Sequence, residues 1–267
     1  MSIKKLDSTT IKFIAIVLMV CDHAHQMFGP AGAPLWLTWL GRPVFVLFLF
    51  AAAEGFHYTR SKKKYLLHMF CASAAMTAIT FATQAILPNE KVVLMNNAFA
   101  TFLVAGIYML AWDRFLSAAK AKNVKRAITS VLLAMLPIVA ALPFLFIASY
   151  ISNSAEGMTG AGRAMMMATM AIPNVVTIEG GVGMALIGLV FYILRERRWA
   201  QIVFLAAFSI VMLIINKEPN LQWLMIAAAI PMLLYNGEKG RGMKSFFYIF
   251  YPAHIVVLYV AATLMGP

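Results

Sequence analysis

Long apolar stretches separated by short polar ones run the whole length of the chain. The hydrocarbon core of a bilayer is about 30 Å thick and needs about 20 apolar residues per helix. Nine segments approach or meet that length: 11–28, 36–53, 65–87, 94–112, 127–150, about 177–194, 199–216, 221–236 and 245–264. The pattern predicts an all-α, polytopic transmembrane helical bundle of about nine spans, within a range of eight to ten.

One further apolar stretch, 164–176, is short and ends at Pro173-Asn174. Proline disfavours helical backbone at the residue before it, here Ile172. We therefore expect 151–176 to be an outside loop with an interfacial or re-entrant piece, and not a tenth span.

The composition excludes a soluble protein. Of the 267 residues, 62% are hydrophobic and 12% charged, whereas soluble domains carry about 25% charged residues. Two cysteines exclude a disulfide framework. We expect a single membrane domain, 1–267, with lipid as its main surroundings.

The formal net charge of +12 follows the predicted topology. Eighteen of the 22 Lys and Arg residues lie in the termini and loops of one side, and three lie on the other: Lys91, Arg163 and Lys217. The positive-inside rule then places the N-terminus in the cytoplasm and the C-terminus outside. This topology explains the basic residues without a nucleic-acid partner.

A few ionisable side chains interrupt the apolar spans, where each costs at least ~2.5 kcal/mol on insertion scales and tends to be functional. They are Asp22, His23, His25, Arg42, Glu54, His68 and His254. A structural interpretation stays open for several of them. Asp22 and Arg42 would neutralise each other as a pair, and His68 lies near enough to the inner surface to reach it.

The spacing of these residues favours a polar centre at mid-depth. Adjacent residues on a helix diverge by about 100°, so Asp22 and His23 do not form a dyad. At about 1.5 Å per residue, His23 and His254 lie about 18 and 13 Å from the inner end of their spans, and Arg42 about 9 Å below the outer end. We expect these three to meet near the midplane.

The inner end of the second span carries Glu54, followed by the basic run Arg60, Lys62, Lys63 and Lys64. A cationic opening there would suit a substrate with an anionic head, but for the run taken alone the positive-inside rule is the favoured explanation and needs no ligand. We predict no metal site, because His23 and His25 point to different sides and no HExxH spacing occurs.

Several motifs together resemble the TraX family of membrane proteins. They are Asp22-His23, Gly41-Arg42-Pro43, Glu54-Gly55-Phe56, Thr59-Arg60-Ser61, Asn96-Asn97, Tyr235-Asn236-Gly237 and Phe247 through His254, with Tyr251-Pro252-Ala253-His254 at its end. TraX proteins are linked to N-terminal acetylation of conjugative pilin in the bacterial inner membrane. The family looks like a small relative of the transmembrane acyltransferases.

The resemblance implies an acetyltransferase with acetyl-CoA as co-substrate. In that reading His23 is the base, Asp22 holds a charge partner or the acceptor's ammonium, and Arg42 or Tyr251 stabilises the oxyanion. His254 is a second base or a pantetheine contact. The other expected acyl-CoA contacts are Glu54, Arg60, Lys62, Lys63, Lys64, Tyr251 and Arg241.

The acceptor stays open among a pilin amine, an envelope glycan hydroxyl and a small amine. Two other function classes also stay open. A proton-coupled transporter would use Asp22, His23 and His254 as a relay, and a non-catalytic envelope assembly factor would use none of them. Release of free CoA thiol from acetyl-CoA separates the enzyme from both.

Overall fold

The computed structural model describes residues 5–153, 160–215 and 221–265. These residues are mostly helical and contain no β-sheet, although Leu6 and Tyr235 form an isolated parallel bridge. The prediction of an all-α protein is confirmed. Residues 154–159 of the expected outer loop and Lys217 lie outside the described ranges.

The α-helices of the described residues follow one another with short connections. In chain order they are α1 Ser8–Phe28, α2 Trp36–Gly41, α3 Val44–His57, α4 Lys62–Ile86, α5 Ala98–Lys120, α6 Val124–Val139, α7 Ala141–Asn153, α8 Gly160–Met170, α9 Gly181–Ile193, α10 Arg198–Ile215, α11 Ala229–Leu234 and α12 Lys244–Met265. Two 3₁₀ segments, Gly29–Ala31 and Gln222–Ala228, follow α1 and precede α11.

Seven helical stretches within the described ranges, some of which join two consecutive elements, are long and apolar enough to cross a bilayer. They are Ser8–Ala31, Trp36–His57, Lys62–Ile86, Ala98–Lys120, Val124–Asn153, Arg198–Ile215 and Ser245–Met265. Two shorter apolar helices, Gly181–Ile193 and Gln222–Leu234, coincide with the predicted spans 177–194 and 221–236. The chain is a multi-pass membrane protein, while the count of nine and the cytoplasmic N-terminus stay predictions.

Side-chain caps set where several helices begin. Asp7 precedes α1 and accepts a hydrogen bond from the backbone N–H of Thr10 at 2.7 Å. This bond lowers the pKa of the Asp7 carboxyl, because it stabilises the charged form. Asn97 and Asn123 cap α5 and α6 in the same way. Each residue is of a type that satisfies the first N–H groups of a helix.

The chain divides into two compact units. The first contains Met1–Tyr58, Thr83–Leu94 and Val190–Pro267, and the second contains Thr59–Ala82 and Met95–Leu189. This division of contacts does not show that either unit folds alone, so the single domain over 1–267 stays a prediction.

In the first unit, α1 packs against α2, α3 and α12. The residues before α1 run beside the segment that follows α11. There Leu6 N–H donates to Leu234 O at 3.0 Å, and Ser8 N–H donates to Glu238 O at 2.9 Å. The N-terminal segment thereby holds the loop that leads into α12.

In the second unit, α5 packs on α6, and α7 packs on α8. A buried polar cluster ties the start of α5 to α4. Asn97 Nδ2 lies 3.0 Å from Ser73 O, 3.1 Å from Ser73 Oγ and 3.0 Å from Thr77 Oγ1. The Oδ1 atom of Asn97 accepts from the N–H of Ala100. The amide therefore uses both its donor and its acceptor.

We predict that Asn97→Asp lowers the Tm of the detergent-solubilised protein. The substitution keeps the capping oxygen but sets a second carboxylate oxygen against the Ser73 carbonyl, which can only accept a hydrogen bond. Hydrogen bonds between membrane helices contribute about 0.6 kcal/mol each, up to about 1.7. Asn153→Asp is the matched control, because Asn153 is exposed. Equal Tm values for the two variants would contradict a stabilising role for the Asn97 donor.

Candidate functional site

Two buried histidines from opposite ends of the chain meet in the first unit. His23 on α1 and His254 on α12 are 4% and 9% exposed. The Nδ1 atom of His23 lies 2.8 Å from Nε2 of His254, and the rings stack with centroids 5.0 Å apart. The expectation that these two residues meet is confirmed.

The hydrogen bonds of this histidine pair define its tautomers. His254 Nδ1 lies 2.8 Å from the backbone carbonyl of Phe250, and a carbonyl only accepts, so the proton is on Nδ1. The Nε2 atom of a neutral His254 then accepts, and Nδ1 of His23 donates to it. The lone pair of a neutral His23 is consequently on Nε2. That atom has the electronic character of a general base.

Asp22 faces a different helix from its neighbour His23. Thr38 Oγ1 on α2 donates to Asp22 Oδ1 at 3.0 Å, and Arg42 Nη2 lies 3.4 Å from the same oxygen. Arg42 also contacts Thr38 Oγ1, donates from Nε to Thr38 O at 3.1 Å and donates from Nη1 to Gln222 Oε1 at 3.1 Å. Asp22, Thr38, Arg42 and Gln222 thus form one polar network, which we call the aspartate network.

Of the three residues that are expected to meet, His23, His254 and Arg42, the two histidines contact each other. Arg42 binds Asp22, Thr38 and Gln222, and the histidine pair forms from α1 and α12. The Asp22–Arg42 ion pair corresponds to the structural interpretation of those two residues. Their side chains are each 29% exposed, so the pair is only partly desolvated.

The glycine that precedes Arg42, Gly41, leaves room for the Asp22 side chain. A Cβ atom built on Gly41 would overlap the carboxyl group of Asp22. The absence of a side chain lets the end of α2 approach Asp22 closely. The Gly41-Arg42 motif therefore provides both space and a counter-charge for one carboxylate.

Tyr251 lies beside the histidine pair. Its side chain is 7% exposed and its ring centroid lies 5.8 Å from that of His254. Tyr251 therefore lies about one helical turn before His254 on α12. The roles expected for it, at the oxyanion and as an acyl-CoA contact, stay predictions.

Glu54 forms an ion pair with Arg198, which the topology prediction counts only among the basic residues of the inner side. Arg198 Nη2 lies 3.4 Å from Glu54 Oε1, and Nη1 of Arg198 donates to Gln201 Oε1 at 2.6 Å. The guanidinium carbon also lies 4.3 Å from the ring centroid of Phe50 and 5.0 Å from that of Tyr235. Glu54 therefore already has a cation at its side.

The other predicted acyl-CoA contacts differ in how much of each is accessible. In the second unit, Lys62 forms an ion pair with Asp113, while Arg60, Lys63 and Lys64 are exposed. In the first unit, Arg241 is exposed. Among the described residues, no three His, Cys, Asp or Glu side chains group as metal ligands.

The sequence matches the TraX family, described as TraX protein, over residues 7–150 and 138–262. The chain belongs to the TraX family. No curated protein and no solved structure matches it. In this TraX protein, the two motifs that carry the resemblance at the chain ends, Asp22-His23 and Tyr251-Pro252-Ala253-His254, are brought together by α1 and α12.

We predict that Gly41→Ala destabilises the protein by about 1–3 kcal/mol, the usual cost of overpacking. The added methyl group displaces the Asp22 carboxyl from Thr38 and Arg42. The measurement is the Tm in detergent. Gly55→Ala on α3 is the matched control, because its Cβ meets no atom within 4 Å and alanine favours helix.

A double-mutant cycle with Asp22→Ala identifies the cause. If the new methyl group acts through the carboxyl, the two substitutions are strongly non-additive. Additive losses would place the cost of Gly41→Ala elsewhere.

Proposed function

We propose that this TraX protein is a membrane-embedded acetyltransferase, which moves an acetyl group from acetyl-CoA to an amine or hydroxyl acceptor. The acceptor class includes a pilin N-terminus and an envelope glycan. The observation that carries the proposal is the buried His23–His254 pair with defined tautomers. Ionisable side chains are costly within a membrane, so a buried pair of them points to a function.

The proposed reaction begins with proton removal. Nε2 of His23 takes a proton from the acceptor amine as its nitrogen attacks the thioester carbonyl. A C–N bond forms, and the C–S bond to CoA breaks. The leaving CoA thiolate, whose thiol has a pKa near 8.5, then takes the proton from His23. Atoms and charge balance without a metal or a redox cofactor.

His254 acts in this proposal by orienting the base. Its Nε2 atom accepts from Nδ1 of His23, so His23 presents its lone pair at Nε2. As His23 becomes positively charged during the reaction, the Nδ1–H···Nε2 bond strengthens. Tyr251, whose ring lies beside that of His254, stabilises the developing oxyanion in this proposal through a hydrogen bond from its hydroxyl.

The aspartate network has a separate proposed role. Asp22 attracts the ammonium form of an amine acceptor, which loses one proton to solvent before the neutral amine attacks, and Arg42 balances the charge of Asp22. A partly exposed carboxylate suits transient contact with an acceptor. Arg42 can stabilise the oxyanion only if its hydrogen bond to Gln222 or its ion pair with Asp22 breaks first.

For the co-substrate we propose contacts with Arg60, Lys63 and Lys64 of the second unit, whose exposed cations suit the phosphates of CoA. Arg241 of the first unit is also exposed and is a separate candidate for such a contact. Lys62 and Glu54 contribute less in this proposal, because each already has a partner of opposite charge. The positive-inside asymmetry supports a cytoplasmic N-terminus and nine spans, and membership of the TraX family supports a place in the bacterial inner membrane.

A proton-coupled transporter is the second candidate, and the same histidine contact favours it. Two hydrogen-bonded imidazoles pass a proton by exchanging tautomers. Purified protein incubated with acetyl-CoA and an amine acceptor distinguishes the two. An acetyltransferase releases free CoA thiol, whereas a transporter or an assembly factor leaves the thioester intact.

We predict that His23→Ala lowers single-turnover acetyl transfer about 10²- to 10⁴-fold, the usual contribution of a general base. Acetyl-CoA binding should be retained. His254→Ala should cost less, because it removes the orientation of the base but not the base. The measurement is acetyl transfer by membrane-inserted protein, with binding determined separately.

His68→Ala is the matched control for these variants. His68 is exposed and contacts the carbonyl of Lys64 on its own helix, so its removal should leave the rate unchanged. A wild-type rate for folded His23→Ala would make His23 a structural residue and contradict the proposed mechanism.

For the co-substrate, we predict that Lys63→Gln combined with Lys64→Gln weakens CoA binding and reduces its salt dependence. Contacts between exposed charges are screened by salt, so their loss flattens the salt response. The control is Lys120→Gln with Lys125→Gln, which removes the same charge from exposed positions at the end of α5 and the start of α6. Equal CoA binding by both double variants would show that Lys63 and Lys64 do not bind CoA and serve only the membrane topology.

A further inference from the structure

The segment 171–180 joins two helices without being helical itself. α8 ends at Met170 and α9 begins at Gly181, so the expectation that helix does not continue through Ile172 is confirmed. Gly180 and Gly181 at its end have φ of 74° and 69°. These left-handed conformations, which glycine adopts readily, end the segment sharply before α9.

A hydrogen bond locates this segment along a neighbouring span. Val175 N–H donates to the carbonyl of Pro137 at 3.2 Å. Pro137 is buried within Val124–Asn153, an apolar helical stretch of 30 residues. At about 1.5 Å per residue, Pro137 lies about 20 Å from one end of that stretch and about 24 Å from the other. A carbonyl so far from both ends lies within the hydrocarbon core of about 30 Å.

The direction of α8 agrees with that depth. α8 packs on α7, and Val175, five residues beyond the end of α8, bonds to Pro137 just before α7. α8 therefore runs back along α7, from the Asn153 end towards Pro137. Its 11 residues cover about 16 Å, and the next five residues reach Val175. The chain therefore enters the bilayer with α8 and has not left it at 171–180.

Backbone outside a helix needs internal partners at such a depth, because hydrocarbon offers none. Asn174, which is fully buried, provides them. Its Oδ1 accepts from the N–H groups of Val176 and Thr177 at 3.0 and 3.1 Å, and its Nδ2 donates to Ile172 O at 3.0 Å. One side chain thus satisfies three backbone groups of the segment.

Other bonds complete this arrangement. Ile178 N–H donates to Asn174 O at 3.3 Å, and Thr101 Oγ1 of α5 donates to Glu179 O at 2.9 Å. The exposed side chains include Ile172 and Val176, which are 47% and 48% exposed. Apolar side chains that point outwards from a segment with satisfied backbone suit contact with lipid.

We infer that α8, the segment 171–180 and α9 form one discontinuous crossing, with its unwound centre inside the bilayer. The crossing begins near Gly160 and not near residue 177, so 160–176 is not an outside loop. The number of crossings is unchanged, and Arg195 keeps its predicted cytoplasmic side. The break also sets Glu179, a carboxylate, in the membrane-embedded part of the chain.

Cysteine accessibility tests this inference. Ile172→Cys and Val176→Cys are made singly in the full chain carrying Cys21→Ala and Cys71→Ala. Both side chains are exposed, so substitution should preserve the fold, which gel filtration in detergent verifies. A membrane-impermeant maleimide is applied to intact cells and, separately, to inverted vesicles. Denatured protein provides the maximum labelling.

We expect labelling at 172 and 176 to be at least about tenfold slower than at a control site from either side, because thiols in hydrocarbon do not ionise. Lys91→Cys is that control for the outside, since Lys91 is exposed in a predicted outer loop. Labelling of 172 and 176 from outside at the rate of the control would show an outer loop and overturn the inference. This result is independent of any catalytic activity.

Discussion

Polar groups within an apolar bilayer must find their partners inside the protein, and this constraint decides which elements of the chain meet. The His23–His254 bond joins α1 to α12. Asp22 joins α1 to α2 through Thr38 and Arg42. Apolar packing alone would leave many helix rotations nearly equal, since lipid tails cover an apolar face as well as a neighbouring helix does. The polar bonds select among those rotations.

The same constraint separates two neighbouring residues into two chemical environments. Asp22 and His23 lie side by side in the chain, yet the first contacts a guanidinium and a hydroxyl while the second contacts a neutral ring. A carboxylate bonded to His23 would place a negative charge beside the ring and favour the imidazolium form. Pairing with His254 orients the ring without adding a charge. The arrangement therefore keeps the counter-charge of α2 away from the proposed base.

Much of this could be predicted from the sequence, because the length of an apolar run and the rise of a helix are local properties. The spans, the divergence of Asp22 from His23 and the similar depths of His23 and His254 all follow from them. The rotation of a helix about its own axis does not follow from these local properties. The sequence-based prediction therefore places Arg42 with the histidines, whereas the structure pairs it with Asp22. Arg198 was missed because the positive-inside rule already explained it. The pairing of Glu54 with Arg198 depends on a tertiary contact that no local pattern contains.

The ion pairs also change how the basic run after α3 is interpreted. A row of cations in a sequence suggests one continuous anion-binding surface, but charge is available to a ligand only where no protein group already neutralises it. Lys62 faces Asp113, whereas Lys63 and Lys64 are exposed. Breaking an existing pair would offset the gain from a new phosphate contact. An anionic co-substrate would therefore bind most favourably at the cations that the fold leaves exposed, and the run divides into structural and accessible residues.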